Sequence, residues 1–324
     1  MRRAALADRV SVATLDFAGC EPIRATEAEI LGPEWDGRKV EYWNAAAETA
    51  WVVREPTTVY HEGPAARLAA LVRQICQARG SDARCIGATD LRFRREDGTL
   101  GDIMQADQTV YLHPGQAALP TGGRVIVGDD PLPDVVLEVD HTTDVRRGKL
   151  LAYAGWGLPE VWVEVPEAGS TRRPRNRRAG LVIHRLEDDE YRESAVSRAF
   201  PGWRADEIHQ ALNEDVMSEA TAGVLWRVGR ALGDREGTAW RDDPLLARVE
   251  RMSRARAHAA MAEALLRRRG IEVPADFAAS LSPAHRDVLA DASPATVVEA
   301  AATARSATDF LARLRRSPSP AERG

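Results

Sequence analysis

The deciding stretch is Pro133-Asp134-Val135-Val136-Leu137-Glu138-Val139-Asp140, followed by Lys149-Leu150-Leu151-Ala152-Tyr153-Ala154 and then Gly157-Leu158-Pro159-Glu160-Val161-Trp162. Val135, Leu137 and Val139 alternate with Asp134, Glu138 and Asp140, the period of a strand with two unlike faces, and Val136 joins the acidic face. Carboxylates sharing one strand face repel one another, so positive charge is expected beside them. Thr142, Thr143 and Asp144 are capping residues. They predict a short helix to about Trp156, ended by Gly157 and Pro159, and Val161 to Val165 reads as the next strand.

Working outward toward the N-terminus, Ile103 to Leu112 reads as a longer strand. Met104, Ala106, Val110 and Leu112 fall on one face, with Gln105, Asp107 and Thr109 on the other. Shorter strands are predicted at Asp90–Arg94 and Arg124–Val127. A helix is predicted from Glu62-Gly63-Pro64 to Arg79, with Leu68, Leu71, Val72 and Ile75 as its buried stripe. Residues 1–40 mix short apolar stretches with Gly and Pro and read as a loosely built extension.

Toward the C-terminus, Leu181–Leu186 and Tyr191–Val196 are strand-like, and from about Ala205 the pattern turns helical. Leu245–Arg269 predicts a long helix ended by Gly270, and Pro294–Leu314 an alanine-rich one. Ser317-Pro318-Ser319-Pro320 begins a tail expected to be disordered. The fold class expected is α/β, with an extension over 1–40, a core domain over 41–204, a helical region over 205–316 and a tail over 317–324.

Phosphodiester hydrolysis needs an activated water and stabilisation of developing negative charge, which Mg²⁺ held by carboxylate oxygens supplies. A carboxylate on each of two neighbouring strands with a lysine close by is an economical way to build such a site. Asp107 and Glu138 lie on the polar faces of two strands; Lys149 lies on the helix beyond, one turn from Tyr153. Taken singly, each carboxylate could be a solvent-facing strand residue and Lys149 a surface lysine.

The same segments, with Met104-Gln105-Ala106-Asp107-Gln108-Thr109-Val110-Tyr111-Leu112, resemble the Uma-two family of bacterial restriction-endonuclease-like proteins, within the PD-(D/E)xK nuclease superfamily. Arg54-Glu55-Pro56-Thr57-Thr58 and His61-Glu62 are similar to that family's N-terminal part, and the resemblance runs roughly from Tyr42 to Glu193. It implies a restriction-endonuclease-like core, a mixed sheet flanked by helices. It further implies Mg²⁺ (or Mn²⁺) on Asp107 and Glu138, helped by the Val139 carbonyl and by Asp134 or Asp140. Asp140 stands where the superfamily pattern puts its lysine, and Lys149 on the next helix fits the variant that moves it. DNA is the expected substrate and partner. Two rivals stay open: a nuclease-fold binding module without turnover, and a metal-dependent hydrolase of another substrate.

Arg172, Arg173, Arg175, Arg177 and Arg178 crowd one predicted hairpin loop. They could clamp phosphates or form a solvated charge run. The remaining composition mostly excludes. Three cysteines without a C-x-x-C pair argue against a disulfide framework or thiolate zinc site. His61, His113, His141 and His184 lack zinc-ligand spacing. No apolar run approaches the ~20 residues needed to span a bilayer, so a cytoplasmic protein is expected. Trp156 and Trp162 are expected to pack helix on sheet, and the C-terminal helices to pack on the core or form a homodimer.

Overall fold

The computed structural model describes residues 17, 19–32, 35, 39–54, 59–95, 97–113, 124–141, 143–167, 173 and 177–316. Among them, ten strands form one mixed sheet. In chain order they are β1 (Cys20–Arg24), β2 (Val40–Asn44), β3 (Thr49–Val53), β4 (Arg84–Arg94), β5 (Leu100–Tyr111), β6 (Val125–Val127), β7 (Val135–Val139), β8 (Glu160–Val165), β9 (Gly180–Glu187) and β10 (Glu190–Ser194). The spatial order is β1-β3-β2-β5-β7-β8-β9-β10, with β4 paired to β5 and β6 to β4.

The organising element is β5. Antiparallel β4 pairs along almost its whole length, so its other edge is shared: β2 takes Ile103 and Met104, and β7 takes Gln108 to Val110. Residues 105–107 lie in the fork between those two partners. β7 then pairs with β8 in parallel, and a parallel pair needs a crossover. That crossover is a 3₁₀ turn, Val145–Arg147, and a helix, Lys149–Trp156.

The helices are α1 (Glu27–Ile30), α2 (Val59–Arg79), α3 (Lys149–Trp156), α4 (Ala205–Asn213), α5 (Glu219–Glu236), α6 (Pro244–Arg268), α7 (Phe277–Ser280), α8 (Pro283–Asp291), α9 (Pro294–Thr303) and α10 (Ala307–Arg316). Val135, Leu137 and Val139 of β7 pack with Leu68, Leu71 and Ile75 of α2, and with Ile208 and Val228 of α4 and α5. Val136, on the opposite face, packs with Tyr153 and Trp156 of α3. Both faces of β7 are therefore covered, and the acidic face meets a helix rather than solvent. A carboxylate on that face must find a buried partner.

The structure differs from the sequence reading in several places. Residues 20–24 are a paired strand and Thr26 caps α1 in a capping box, so the extension expected over 1–40 contributes to the sheet. α2 begins at Val59, with Pro64 inside it rather than opening it. Met104 and Ala106 pack in the α3 layer, but Val110 and Leu112 pack in the α2 layer. The exchange comes at Asp107, where the paired positions Gly87 and Thr89 of β4 bracket Ala88 at φ 47°. Trp156 stacks on Phe93 in the α3 layer; Trp162 lies on the other face, against Phe200 and Trp203.

The chain forms two compact units, 1–239 and 240–324. α4 and α5 pack on α2 within the first, so the boundary expected near 205 falls after Ala239. In the second, α6 to α10 enclose a core that includes Ala259, Leu266, Phe277, Leu289, Val297 and Phe310. Asp243-Pro244, Ser282-Pro283 and Ser293-Pro294 each cap a helix and open it with proline. The expected tail, 317–324, lies outside the described residues. No helix among the described residues is long and apolar enough to cross a membrane, and the three cysteines are free.

Candidate active site

The fork in β5 gathers charge. Continuing the β2 register brings Lys39 opposite Asp107, and continuing the β7 register brings Glu138 opposite the same residue. Lys39 pairs with Asp107 Oδ1, and the Val139 amide donates to Asp107 Oδ2 at 2.7 Å. Lys39 Nζ also reaches Glu41 Oε1 at 3.1 Å and His61 Nε2 at 2.6 Å. A charged lysine can only donate, so the ring nitrogen is the acceptor in that contact. His61 Nε2 lies 3.6 Å from Asp107 Oδ2, and its Nδ1 faces Glu62 at 3.4 Å.

The inner half of the site is built on α3. Lys149 Nζ donates to Glu138 Oε2 at 2.7 Å and to the Gln105 carbonyl in the fork at 2.7 Å, and pairs with Glu41. Tyr153, one turn along, donates to Glu138 Oε1 at 2.5 Å. Lys149 and Tyr153 are fully buried and Glu138 is 1% exposed; Asp107, His61 and Lys39 form the slightly exposed rim.

Burial pushes the Glu138 carboxyl up to about 7; Lys149 pulls it back, while Asp107 and Glu41 add to the rise. Burial works the same way on Glu41, yet Lys149 and Lys39 together hold it at about 2. Burial alone would lower Lys149, but Glu138, Glu41 and Asp107 hold it above the ordinary lysine value. Asp107 and Glu41 do the same for Lys39 against its burial. Tyr153 is driven well above its usual value by burial and by Glu138, so it remains a donor. The two lysines are fixed positive charges, not bases, near neutral pH.

Asp107, Glu138 and Lys149, drawn from separate elements, are thus brought together. The other sequence-predicted residues lie around them or apart. The Val139 carbonyl accepts the His141 amide at 3.1 Å. Asp140 accepts from the Val145 amide at 3.2 Å and the Thr143 hydroxyl at 3.3 Å, and pairs with Arg177. Asp134 stands at the far end of β7, ~13 Å from Glu138 by strand rise, where it accepts the Leu112 amide at 2.7 Å. Among the loop arginines, Arg172 and Arg175 lie outside the described residues; Arg173 is half-buried and Arg178 exposed. Burial lowers the Arg177 guanidinium from its ordinary value.

Lys39, Glu41 and His61 were missing from the candidate set. A clue was present in Glu41, a charge set among Val40, Tyr42 and Trp43, where a strand pattern places a buried position. Nothing local tied it to Asp107.

Hard carboxylate oxygens are the donor type Mg²⁺ takes, and it commonly uses one or two protein carboxylates with substrate phosphates completing the shell. Asp107 and Glu138 fit that use. Among the described residues no group of three or more His, Cys, Asp and Glu side chains is arranged to hold a metal ion.

The Uma2 family model, described as "Putative restriction endonuclease", matches residues 31–217. No curated protein matches the sequence. A crystal structure of a "putative nuclease belonging to DUF820" from Anabaena variabilis ATCC 29413 aligns with a TM-score of 0.32 and 11% identity, over 54% of this chain and 87% of that one. With more than half of its length matched, and with Asp107, Glu138 and Lys149 inside the match, this chain belongs to the Uma2 family.

Proposed function

We propose that the protein is a Mg²⁺-dependent endonuclease, also served by Mn²⁺, that hydrolyses DNA phosphodiester bonds. The observation that carries this reading is the convergence of Asp107, Glu138 and Lys149 on the fork of β5. Burying several charges costs several kcal/mol per ion before pairing offsets it, and such groups cluster at functional sites.

Asp107 and Glu138 would hold the ion, with Glu41 one lysine away. The bound ion supplies a water acidified toward neutrality and a Lewis-acid contact to a phosphate oxygen. In the hydrolysis, water oxygen would bond to phosphorus as one P–O ester bond breaks; the electron pair of that bond would leave on the departing oxygen, which takes up a proton in exchange for the one the water gives off to solvent. Lys149, held cationic, offsets negative charge as it gathers on the phosphoryl oxygens. Tyr153 fixes the Glu138 carboxylate in one orientation. Arg173, Arg177 and Arg178, with Arg172 and Arg175 of the same loop, would hold flanking phosphates.

The test is cleavage of supercoiled, linear and single-stranded DNA with Mg²⁺, Mn²⁺ or EDTA. Glu138→Ala is expected to reduce metal-dependent nicking at least ~10³-fold, the scale on which lost transition-state stabilisation shows. Equal rates for parent and variant would remove the site assignment.

A second reading has one observation in its favour. Both oxygens of Asp107 and both of Glu138 already have protein donors. A cluster so satisfied can serve as a rigid binding module, which would give salt-dependent DNA binding and no turnover in any metal.

A further inference from the structure

The C-terminal unit carries a groove of about 1000 Å³ between α6 and the α7–α8 segment. Its apolar lining includes Met252, Ala255, Ala259 and Leu281. Arg248, Met252 and Arg256 are spaced four residues apart on α6, so they form one row along the groove with an apolar centre and a guanidinium at each end. The two guanidiniums are eight residues apart, ~12 Å along the axis. Arg251, on the same lip, is ion-paired with Asp287 and Asp291. Arg248 and Arg256 are exposed and have no carboxylate partner among the described residues. From Met252 (48%) in the row, Val249 (54%) and Leu245 (58%) extend an exposed apolar strip along the same helix.

We propose that this groove docks an acidic amphipathic helix of a partner protein, with an apolar side chain over Met252 and carboxylates on Arg248 and Arg256. A groove of this volume could also hold a small molecule. The strip through Leu245 and Val249 decides against that, because a helix laid along α6 covers it and a small ligand does not. Charge decides against a second copy of α6. That helix carries Arg248, Arg251, Arg254 and Arg256 within nine residues, so pairing it with itself sets guanidinium against guanidinium. Nucleic acid would satisfy the arginines but would leave the alanine, methionine and leucine surface facing phosphates. An acidic helix satisfies both surfaces.

The experiment uses the full chain and a panel of fluorescent helical peptides. Each carries glutamate at i and i+8 with leucine or phenylalanine at i+4, matched by a control with lysine for glutamate. Fluorescence anisotropy is expected to show saturable binding of acidic peptides and at least tenfold weaker binding of the controls. In the Arg248→Glu/Arg256→Glu double variant the preference reverses, with circular dichroism confirming unchanged helix content. Three outcomes would overturn the proposal: no acidic peptide binds saturably; charge reversal leaves binding unchanged; or duplex DNA displaces the peptides competitively. A fourth would as well, namely concentration-dependent self-association that the peptides block.

Discussion

At the scale of single residues, the site is a balance of buried charges in which every member depends on another. Lys149 touches two carboxylates and a backbone carbonyl with no solvent contact. Lys149→Met therefore leaves Glu138 and Glu41 short of a buried counter-charge and is expected to destabilise the protein by ~3–5 kcal/mol in urea unfolding. Adding Glu138→Gln removes the other partner, and the double variant is expected to recover part of the loss; a fully additive loss would mean the pair does not interact. Glu41 gives a pH signature. Its carboxyl is held near 2 in the folded chain against an ordinary 4.5, so the stability it contributes is present above about 4.5 and is lost as pH falls toward about 2. The melting-temperature gap between parent and Glu41→Gln should be widest near pH 5 to 7 and close toward pH 2. A gap that does not change with pH would mean Glu41 is not held by the two lysines.

At the scale of elements, α5 shows how closely one helix can approach another. A Cβ at Gly229 would stand 2.5 Å from the Ile75 carbonyl oxygen and 2.6 Å from the Ala78 Cβ, both on α2. Gly223, two turns earlier on α5, has nothing within 4 Å. Gly229→Ala is expected to cost ~1–3 kcal/mol through overpacking against backbone. Gly223→Ala should stabilise by ~0.5–1 kcal/mol through helix propensity. Chemical denaturation of the two variants reads both signs in one series, and equal effects would mean the α2–α5 approach is looser than described. The same contact explains why helices that read as part of a C-terminal appendage belong with the sheet. Their helical character was legible in the sequence, but the surface they pack against was not.

At the scale of the whole molecule, each compact unit has its own core. A fragment ending at Ala239 is expected to unfold cooperatively by itself and to keep whatever cleavage the parent has. One ending at residue 204 loses Ile208, Leu212, Leu225, Val228 and Leu232 from the core shared with α2. At ~1.5–3 kcal/mol for each buried side chain, that exceeds a typical domain's net stability of ~5–15 kcal/mol at its lower end. The shorter fragment should therefore lack the near-ultraviolet circular dichroism of a packed Trp162. A folded 1–204 fragment would restore the boundary expected from sequence.

What the sequence by itself determined is what short-range pattern encodes. Alternation along Asp134–Asp140 specified β7 and its two faces, Gly157 at φ 80° closed α3, and the helical run read from Leu245 to Arg269 is α6, whereas the run read as one helix over Pro294–Leu314 is two, α9 and α10. The order of Asp107, Glu138 and Lys149 carried the family resemblance, because motif order survives in a linear text. Only the tertiary structure decided that Lys39, Glu41 and His61 join them, that Lys149 is buried, and that Asp134 stands apart. Those facts depend on β2 and β7 sharing one edge of β5, which brings together residues 68 positions apart in the chain. Strand periodicity tells which side chains share a face; it does not tell which strand lies alongside.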